Sequence, residues 1–567
     1  MNQKRWIVAE PAPPQVRQAL GAYHPLVAQT LYNREICEAE AAQRFFDGQL
    51  TDNEDPLALL GMAAAVDRLR HAIRSGERIV VYGDYDTDGV TATALLVQVL
   101  TVLGAAVDRY IPDREEEGYG LNQGALRTIR EQGGQVVITV DCGVRALAEA
   151  ETAHECGLDL IVTDHHEPEA ELPRALAIIN PKQPGDTYPY RGLAGVGLAF
   201  KLAQGLIRPM QPRPGISASD VLDLVALGTV ADLAPLTGEN RALVRQGLGI
   251  LNGRLKREGL KAMFGIAGVK SGQVTAGTIG FVLGPRLNAA GRLESALAAY
   301  DLLTARSEQD ARPLAVQLEN QNRARQDLTR ETQARAREIA VNEHGDGALL
   351  FAADPSFKAG VVGLAAARLT EEFYRPAVVA SQGETETRGS GRSIPEFHIT
   401  EALDQVKDLL KRHGGHAAAA GFTAANENVD ELAARLKQIA ESQLGGLDLR
   451  PNLHVDVDHV RLADLTPELM DTLQKFEPCG FGNAAPVLAS RRLRVNDWRT
   501  VGKDGKHLKL SLTDGRASVD AIAFGQAQDW VAHPARVVDV AYALEWNEYG
   551  GERRLQLAVK SLQASQE

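Results

Sequence analysis

Three short apolar runs in the first third of the chain end in acids. "RIVVYGDYDTDG" spans Arg78 to Gly89, "QVVITVDCG" Gln135 to Gly143, and "LDLIVTDHHEP" Leu158 to Pro168. Each run is β-branched and short, bounded by polar or glycine residues, and reads as a buried strand. "AAVDRYIP" and "ALAIIN" add two more. Helix-forming sequence lies between them, as in "VTATALLVQVLTVLG", Val90 to Gly104. Strands alternating with helices predict βαβ units and a mostly parallel sheet. Such a sheet presents ligands at the carboxyl ends of its strands.

The first acidic run also matches the start of a calcium loop. Asp84, Asp86, Asp88 and Gly89 occupy the first, third, fifth and sixth positions, but the twelfth, which needs a bidentate Glu, is Leu95. The run before it is a strand rather than an entering helix, so an EF-hand is excluded.

Composition sets the outer limits. A chain of 567 residues predicts three or four domains. Its 44% hydrophobic and 24% charged residues are ordinary for globular proteins. The net charge of −13 argues against coating nucleic acid through overall charge and leaves room for a local basic groove. Cys37, Cys142, Cys156 and Cys479 form no CxxC pair, which fits a reducing compartment and excludes a thiolate zinc site. The opening "MNQKRWIVAEPAPP" has no signal-peptide core. No stretch approaches the ~18 apolar residues of a membrane span. The expectation is a cytoplasmic, multidomain protein with no membrane association.

Beyond the acidic strands, from Ser307 to Glu343, glycine is absent and the only proline is Pro313. This predicts a long exposed helix joining two lobes. The next stretch, Gly347 to Gly445, reads as a second α/β unit with strands in "GALLFAA", "RPAVVAS" and "TRGSGRS". Its Gly-rich "RHGGHAAAAGF" is expected between helices. After "GGLDLRPN" come "LRVNDWRTV", "HLKLSLTD", "SVDAIAF", "VVDVAYALEW" and "RRLQLAVKSL", the pattern of a small β-barrel. The expected division is an N-terminal extension (1–54), a first domain (55–304), a connecting helix (305–344), a second α/β domain (345–447) and a barrel (448–567).

The acids form a constellation. Asp84, Asp86 and Asp88, then Asp141, then Asp164, His165 and His166 fall at one predicted sheet edge. The helical "VALGTVADLAPLTGENR" adds Asp232 and carries Arg241. So many carboxylates cannot all stay ionised together without cations between them. Oxygen ligands suit Mg²⁺ and Mn²⁺, and imidazole tilts the choice toward Mn²⁺. Two such ions ~3.5–4 Å apart activate a water and neutralise charge on a phosphate ester. No P-loop or Ser/His/Asp arrangement competes.

In order and spacing, "DYDTDG", "VDCG", "TDHHEP" and "GTVADLAPL" resemble the motifs of the DHH phosphoesterase superfamily. Within it, "YIPDREEEGYGLN", "GLAGVGLAFKL", "FVLGPRLNAAGRL", "SGRS" and "GGHAAAAGF" are similar to the bacterial RecJ family of single-strand-specific 5′→3′ exonucleases, over about residues 50 to 560. The resemblance implies an α/β fold in three parts. A parallel-sheet DHH domain is joined by the long helix to a smaller α/β DHHA1 domain, and a β-barrel OB-fold follows. It implies two Mn²⁺ or Mg²⁺ ions. Asp86 would bind one, Asp141 would bridge both, and Asp88, His165 and Asp232 would complete the second. Asp84 would be a ligand or orient the attacking water, His166 would reach the scissile phosphate, and Asp164 would orient His165 or its neighbour.

For the substrate, the resemblance implies a 5′-phosphate receiver made of Arg114, Ser390 and Arg392, and a bidentate Arg fork suits that task. Arg286, Asn288 and Arg292, then Asn322 and Arg325 on the connecting helix, are candidates for internal phosphates. The resemblance implies that His416 lies in the lobe that closes over the strand. In "DPSFKAGVVGL", Phe357 and Lys358 stand where the family pattern has Trp-His. The run Arg491 to Lys509 is the most basic in the chain and contains Trp498. Arg491, Trp498 and Lys509 are therefore expected to bind single-stranded DNA, with Phe476, Phe481, Phe524 and Trp530 as further platforms. The family also implies work in DNA repair and recombination beside a single-strand-binding protein and a helicase. Two other readings remain open: a phosphodiesterase on short oligoribonucleotides or cyclic dinucleotides, and a metal-free repair scaffold.

Overall fold

The computed structural model describes residues 4–48, 55–114, 117–118, 120–208, 215–253, 255–293, 295–342, 347–549 and 552–565. The expected boundaries at 54 and at 344–345 fall outside these residues. The chain divides into two compact units, one of residues 6–319 with 453–567, the other of 320–452 with a short N-terminal stretch.

The first unit contains the predicted parallel sheet. Its strands are Arg78–Gly83, Ala106–Tyr110, Val136–Val140, Asp159–Thr163 and Ala177–Ile179. Arg78–Gly83 pairs with Ala106–Tyr110 on one side and Val136–Val140 on the other; Asp159–Thr163 and Ala177–Ile179 follow, all parallel. Both faces of the other strands are covered, which is why those runs are mostly apolar rather than alternating, whereas the edge strand Ala106–Tyr110 is largely exposed and carries Asp108 and Arg109. Ile79, Val81, Ile138 and Ile161 enter one core with the helices Thr87–Val102, Gly195–Ile207 and Leu222–Ala231. Val80, Tyr82, Val137 and Val162 enter the other with Gln123–Glu131 and Leu147–Glu155. The chain leaves its first strand for one side, then returns to the other. Asp84 and Asp141 end the two strands flanking that reversal, where an open α/β sheet forms its crevice.

The barrel belongs to the same unit. Leu488–Val501, His507–Thr513, Ser518–Ala523, Glu552–Ala564 and Val537–Tyr549 close in that order. The N-terminal extension packs on it rather than standing apart: Leu20, Val27, Leu31 and Phe46 share a core with Leu473, Phe476 and Trp530.

In the second unit a sheet runs in the order Leu410–His416, Ala419–Ala425, Glu386–Arg392, Ala377–Gln382, Leu350–Asp354. "RHGGHAAAAGF" lies between the helices Ile399–Asp404 and Val429–Leu444, as expected, and forms most of the antiparallel hairpin Leu410–His416 and Ala419–Ala425. Its small residues serve close pairing. Phe422 lies over Gly389 of the next strand, where a Cβ would come within 2.2 Å of the ring. The helix Glu308–Asn342 passes from one unit to the other with Pro313 in its first turns.

Candidate metal centre

Each acid is placed by backbone that its neighbours dictate. Asp84 follows the first strand, and the loop after it is so tight that a Cβ on Gly89 would sit 2.6 Å from the Asp84 backbone. Asp86 caps the helix Thr87–Val102, its Oδ1 accepting from the Asp88 and Gly89 amides at 2.9 and 3.0 Å. This uses one oxygen for the helix end, as an N-cap does. Asp88 is fully buried and accepts from the Gly195 and Val196 amides at 2.7 and 2.9 Å, the N-terminus of the helix Gly195–Ile207. Asp141 adopts a left-handed backbone (φ 63°) directly after its strand. Asp232 closes the helix Leu222–Ala231.

These side chains converge. His165 Nε2 lies 3.0 Å from Asp141, 3.8 Å from Asp232 and 4.0 Å from Asp88. Ligand atoms of Asp84, Asp86 and Asp141 lie within 4.8 Å of one another, as do those of Asp88, His165 and Asp232, and those of Asp141, His165 and His166. Glycine makes this approach possible. A Cβ on Gly195 would fall 2.7 Å from Asp141 Cβ, and one on Gly228 would fall 2.7 Å from Asp88 Oδ1. Asp164 partners His166, not His165: its Oδ1 stands 2.7 Å from His166 Nδ1, while Oδ2 accepts from the Val144 amide.

The electrostatics show what the cluster lacks. Burial, then the charge of Asp86, pushes Asp88 up to about 7. Burial, then Asp88 and Asp86, pushes Asp232 up to about 9, and burial with neighbouring acids also raises Asp84 and Asp141. Burial and the neighbouring His166 lower His165 to about 3, so its imidazole is neutral, the form that ligates metals. His166 is itself opposed by burial, yet its bond to Asp164 raises it. Asp84 Oδ1 and His165 Nε2 are buried without a hydrogen-bond partner. Acids plus one neutral imidazole, with such atoms facing inward, fit a pair of hard divalent cations.

Stability should report on this charge cluster. Without cations, the folded chain keeps protons on Asp88 and Asp232 that the unfolded chain releases near pH 4, so its stability falls as pH rises toward about 9. Cations replace those protons and remove the penalty. Between about pH 6 and 8.5, the melting-temperature gap between Mn²⁺-loaded and chelated protein should widen with pH. A constant or shrinking gap would count against the cluster.

Beside the centre is a cleft of about 230 Å³ lined by Tyr85, Asp86, Arg114, Ala231, Asp232, Asn288, Gly291 and Arg292. Three residues expected to meet DNA are thus brought to the acids. Arg114 lies over the Tyr85 ring, 5.0 Å from its centroid. Asn288 Oδ1 accepts from the Thr87 amide and hydroxyl, both at 2.8 Å, and so braces the acidic loop. Tyr85, Gly195 and Gly228 escaped the sequence reading, although all three lie inside its motifs.

Other candidates are placed differently. Arg286, expected on DNA, is engaged by Glu319 at 2.7 Å. Arg491 is held by Asp458 (2.7 Å) and Asp539 (3.0 Å) and stacks on Trp6, which makes it a structural tie. Lys509 pairs with Asp520 at 3.2 Å. Trp498 is 40% exposed, with Trp530 buried beside it; Phe476 is also buried, whereas Phe481 and Phe524 are exposed. In the second unit, Arg392 donates to Ser390 Oγ at 2.9 Å, with Gly363 leaving room for both. His416 is exposed near the hairpin tip. Asn322 is buried and accepts from Arg325 at 2.9 Å, which removes it from any free helix face. Phe357 is buried and Lys358 exposed.

Three family models match: the DHH family N-terminal domain over 78–229, the DHHA1 domain over 346–442 and the RecJ OB domain over 457–561. The single-stranded-DNA-specific exonuclease RecJ of Bacillus subtilis (strain 168) is 38% identical over 571 aligned residues, covering 100% of this chain and 71% of its own. The chain belongs to the RecJ family. RecJ from Thermus thermophilus, crystallised in complex with Mn²⁺, superposes with a TM-score of 0.86 at 30% identity, covering 100% of this chain and 80% of its own. The Mg²⁺ complex of RecJ from the same organism gives 0.79 at 29%, covering 100% and 79%. The fold is that of the family: a parallel-sheet DHH domain, a DHHA1 domain and a closed barrel matching the RecJ OB domain.

Proposed function

We propose that this chain is a Mn²⁺- or Mg²⁺-dependent exonuclease that hydrolyses single-stranded DNA from its 5′ end, releasing nucleoside 5′-monophosphates. The observation that carries this reading is the convergence of five aspartates and a neutral imidazole beside a cleft with two arginines. Asp84, Asp86 and Asp141 would hold one ion and Asp88, His165 and Asp232 the other, with Asp141 between them. When bound, such a pair activates a water and offsets charge on the scissile phosphate.

The chain's own groups do the rest. Asp84, with an oxygen free of other bonds, is suited to ligate or to orient the water. His166, which its bond to Asp164 shifts toward the protonated form, is suited to donate to the phosphate. Arg114, with Ser390 and Arg392, would receive the terminal phosphate; Asn288, Arg292, His416 and Trp498 would guide the strand. The division into 1–54, 55–304, 305–344, 345–447 and 448–567 is part of this proposal. So is a cytoplasmic role in repair and recombination, on strands supplied by a helicase and a single-strand-binding protein. Among the described residues no helix is long and apolar enough to cross a membrane.

The test is cleavage of single and double strands labelled at either end, with and without Mn²⁺. Label at the 5′ end should be released first as mononucleotide, from single strands only. Arg392→Ala should weaken the preference for a 5′-phosphate over a 5′-hydroxyl by roughly tenfold or more, as loss of a charge-assisted contact implies. Release from the 3′ end, or equal loss on both kinds of 5′ end, would contradict the reading.

A further inference from the structure

Arg241 follows Asp232 in the chain, on the helix Gly238–Asn252, and the proposed chemistry makes no use of it. Its side chain is buried, 3% exposed, and is surrounded by main-chain carbonyls. Nε donates to Phe45 O at 3.4 Å, Nη1 to Phe476 O and Pro478 O at 2.7 and 3.2 Å, and Nη2 to Lys475 O and Glu477 O at 2.9 and 3.0 Å. Its face covers the Phe45 ring at 3.9 Å. Every N–H direction of the guanidinium therefore has an acceptor, the condition under which a buried cation is tolerated.

All of these carbonyls except that of Phe45 belong to the segment that leads into the barrel. That segment touches the chain between Asp232 and Arg241 again: the Leu236 amide donates to Phe481 O at 2.7 Å, and a Cβ on Gly482 would meet Pro235 Cβ at 3.0 Å. On the far side, Asn240 Nδ2 donates to Pro235 O and to Gly192 O, at 3.1 and 2.6 Å. Gly192 lies just before the Gly195 and Val196 amides that hold Asp88. Between Asp232 and these anchors stands Leu233, 68% exposed and left-handed at φ 60°. A leucine resists that backbone and keeps it only where the surroundings impose it.

We propose that Arg241 is a positioning residue for the metal centre: by clamping residues 475–478 it fixes the strained turn that presents Asp232. The entry to the barrel then supports the active site as well as leading to a strand-binding surface. This rests on the two-metal reading above.

The test uses the full chain with Arg241→Met, which keeps the apolar stem and removes every donor. Mn²⁺ affinity is read from the free-ion electron paramagnetic resonance signal, and kcat from a saturating short single strand. Partners that orient ligands without touching the metal typically matter by about 10–100-fold. Mn²⁺ binding should weaken by about that factor and kcat should fall, at temperatures where the variant remains folded. Gly482→Ala, a surface change pressing on Pro235, should shift affinity in the same direction. A folded Arg241→Met with wild-type Mn²⁺ affinity would overturn the proposal. Should that variant not fold, wild-type affinity in Gly482→Ala would overturn it instead. Wild-type protein that takes up no Mn²⁺ would overturn the metal centre itself, a result distinguishable from unaltered binding in the variants.

Discussion

Replacing Asp141 by alanine is expected to lower strand hydrolysis by about 10³-fold or more, equivalent to ~4 kcal/mol of barrier. Asp141 belongs both to the ligand grouping with Asp84 and Asp86 and to the one with His165 and His166, and its Oδ1 stands 3.0 Å from His165. It therefore joins the acids that follow Arg78–Gly83 to the histidines that follow Asp159–Thr163. Gly195 packs directly against it, so the space is shaped to this side chain. The same change should raise the melting temperature of the chelated protein, since it removes one of several mutually repelling buried acids. Loss of activity together with gain of metal-free stability is the signature of a site built for cations. Full activity in this variant, measured by release of labelled nucleotide, would rule out the assignment.

The largest effect on stability is expected away from the chemistry. Lys201 and Glu239 form an ion pair buried at 1% and 0% exposure, and Tyr188 donates to Glu239 Oε2 at 2.7 Å. Lys201→Met leaves Glu239 uncompensated in the core, which should cost about 3–5 kcal/mol in urea unfolding. Adding Glu239→Leu removes the stranded acid, so the double variant should recover most of the loss. If Lys201→Met proves neutral, or the double variant is worse, the pair is not a buried charge couple.

The sheet and its acids were legible because their signals are local. A β-branched run with acids at its end states both the strand and the ligand in one stretch, and the three acid-ended runs, with "AAVDRYIP" and "ALAIIN", gave five parallel neighbours. What escaped depends on distant partners. Arg286 and Arg292 look alike in "GPRLNAAGR", yet Glu319 takes one while the other lines the cleft. Arg491 sits in the most basic run, but Asp458 and Asp539, remote in sequence, bind it. Asp164 could have served either histidine, and only the turn of the chain directs it to His166. The hairpin Leu410–Ala425 hid behind alanines, which favour helices until pairing with Gly389 and its neighbours overrides that preference. The N-terminal helices gave no hint that they would complete the barrel's core.

Central to the proposed chemistry are cations gathered by separate strand ends. Counting Mn²⁺ taken up by the metal-free chain tests this directly. The prediction is about two ions per chain for the wild type and at most about one for Asp141→Ala, as expected when a bridging ligand is lost. No uptake by the wild type, or an undiminished pair in the variant, would contradict it.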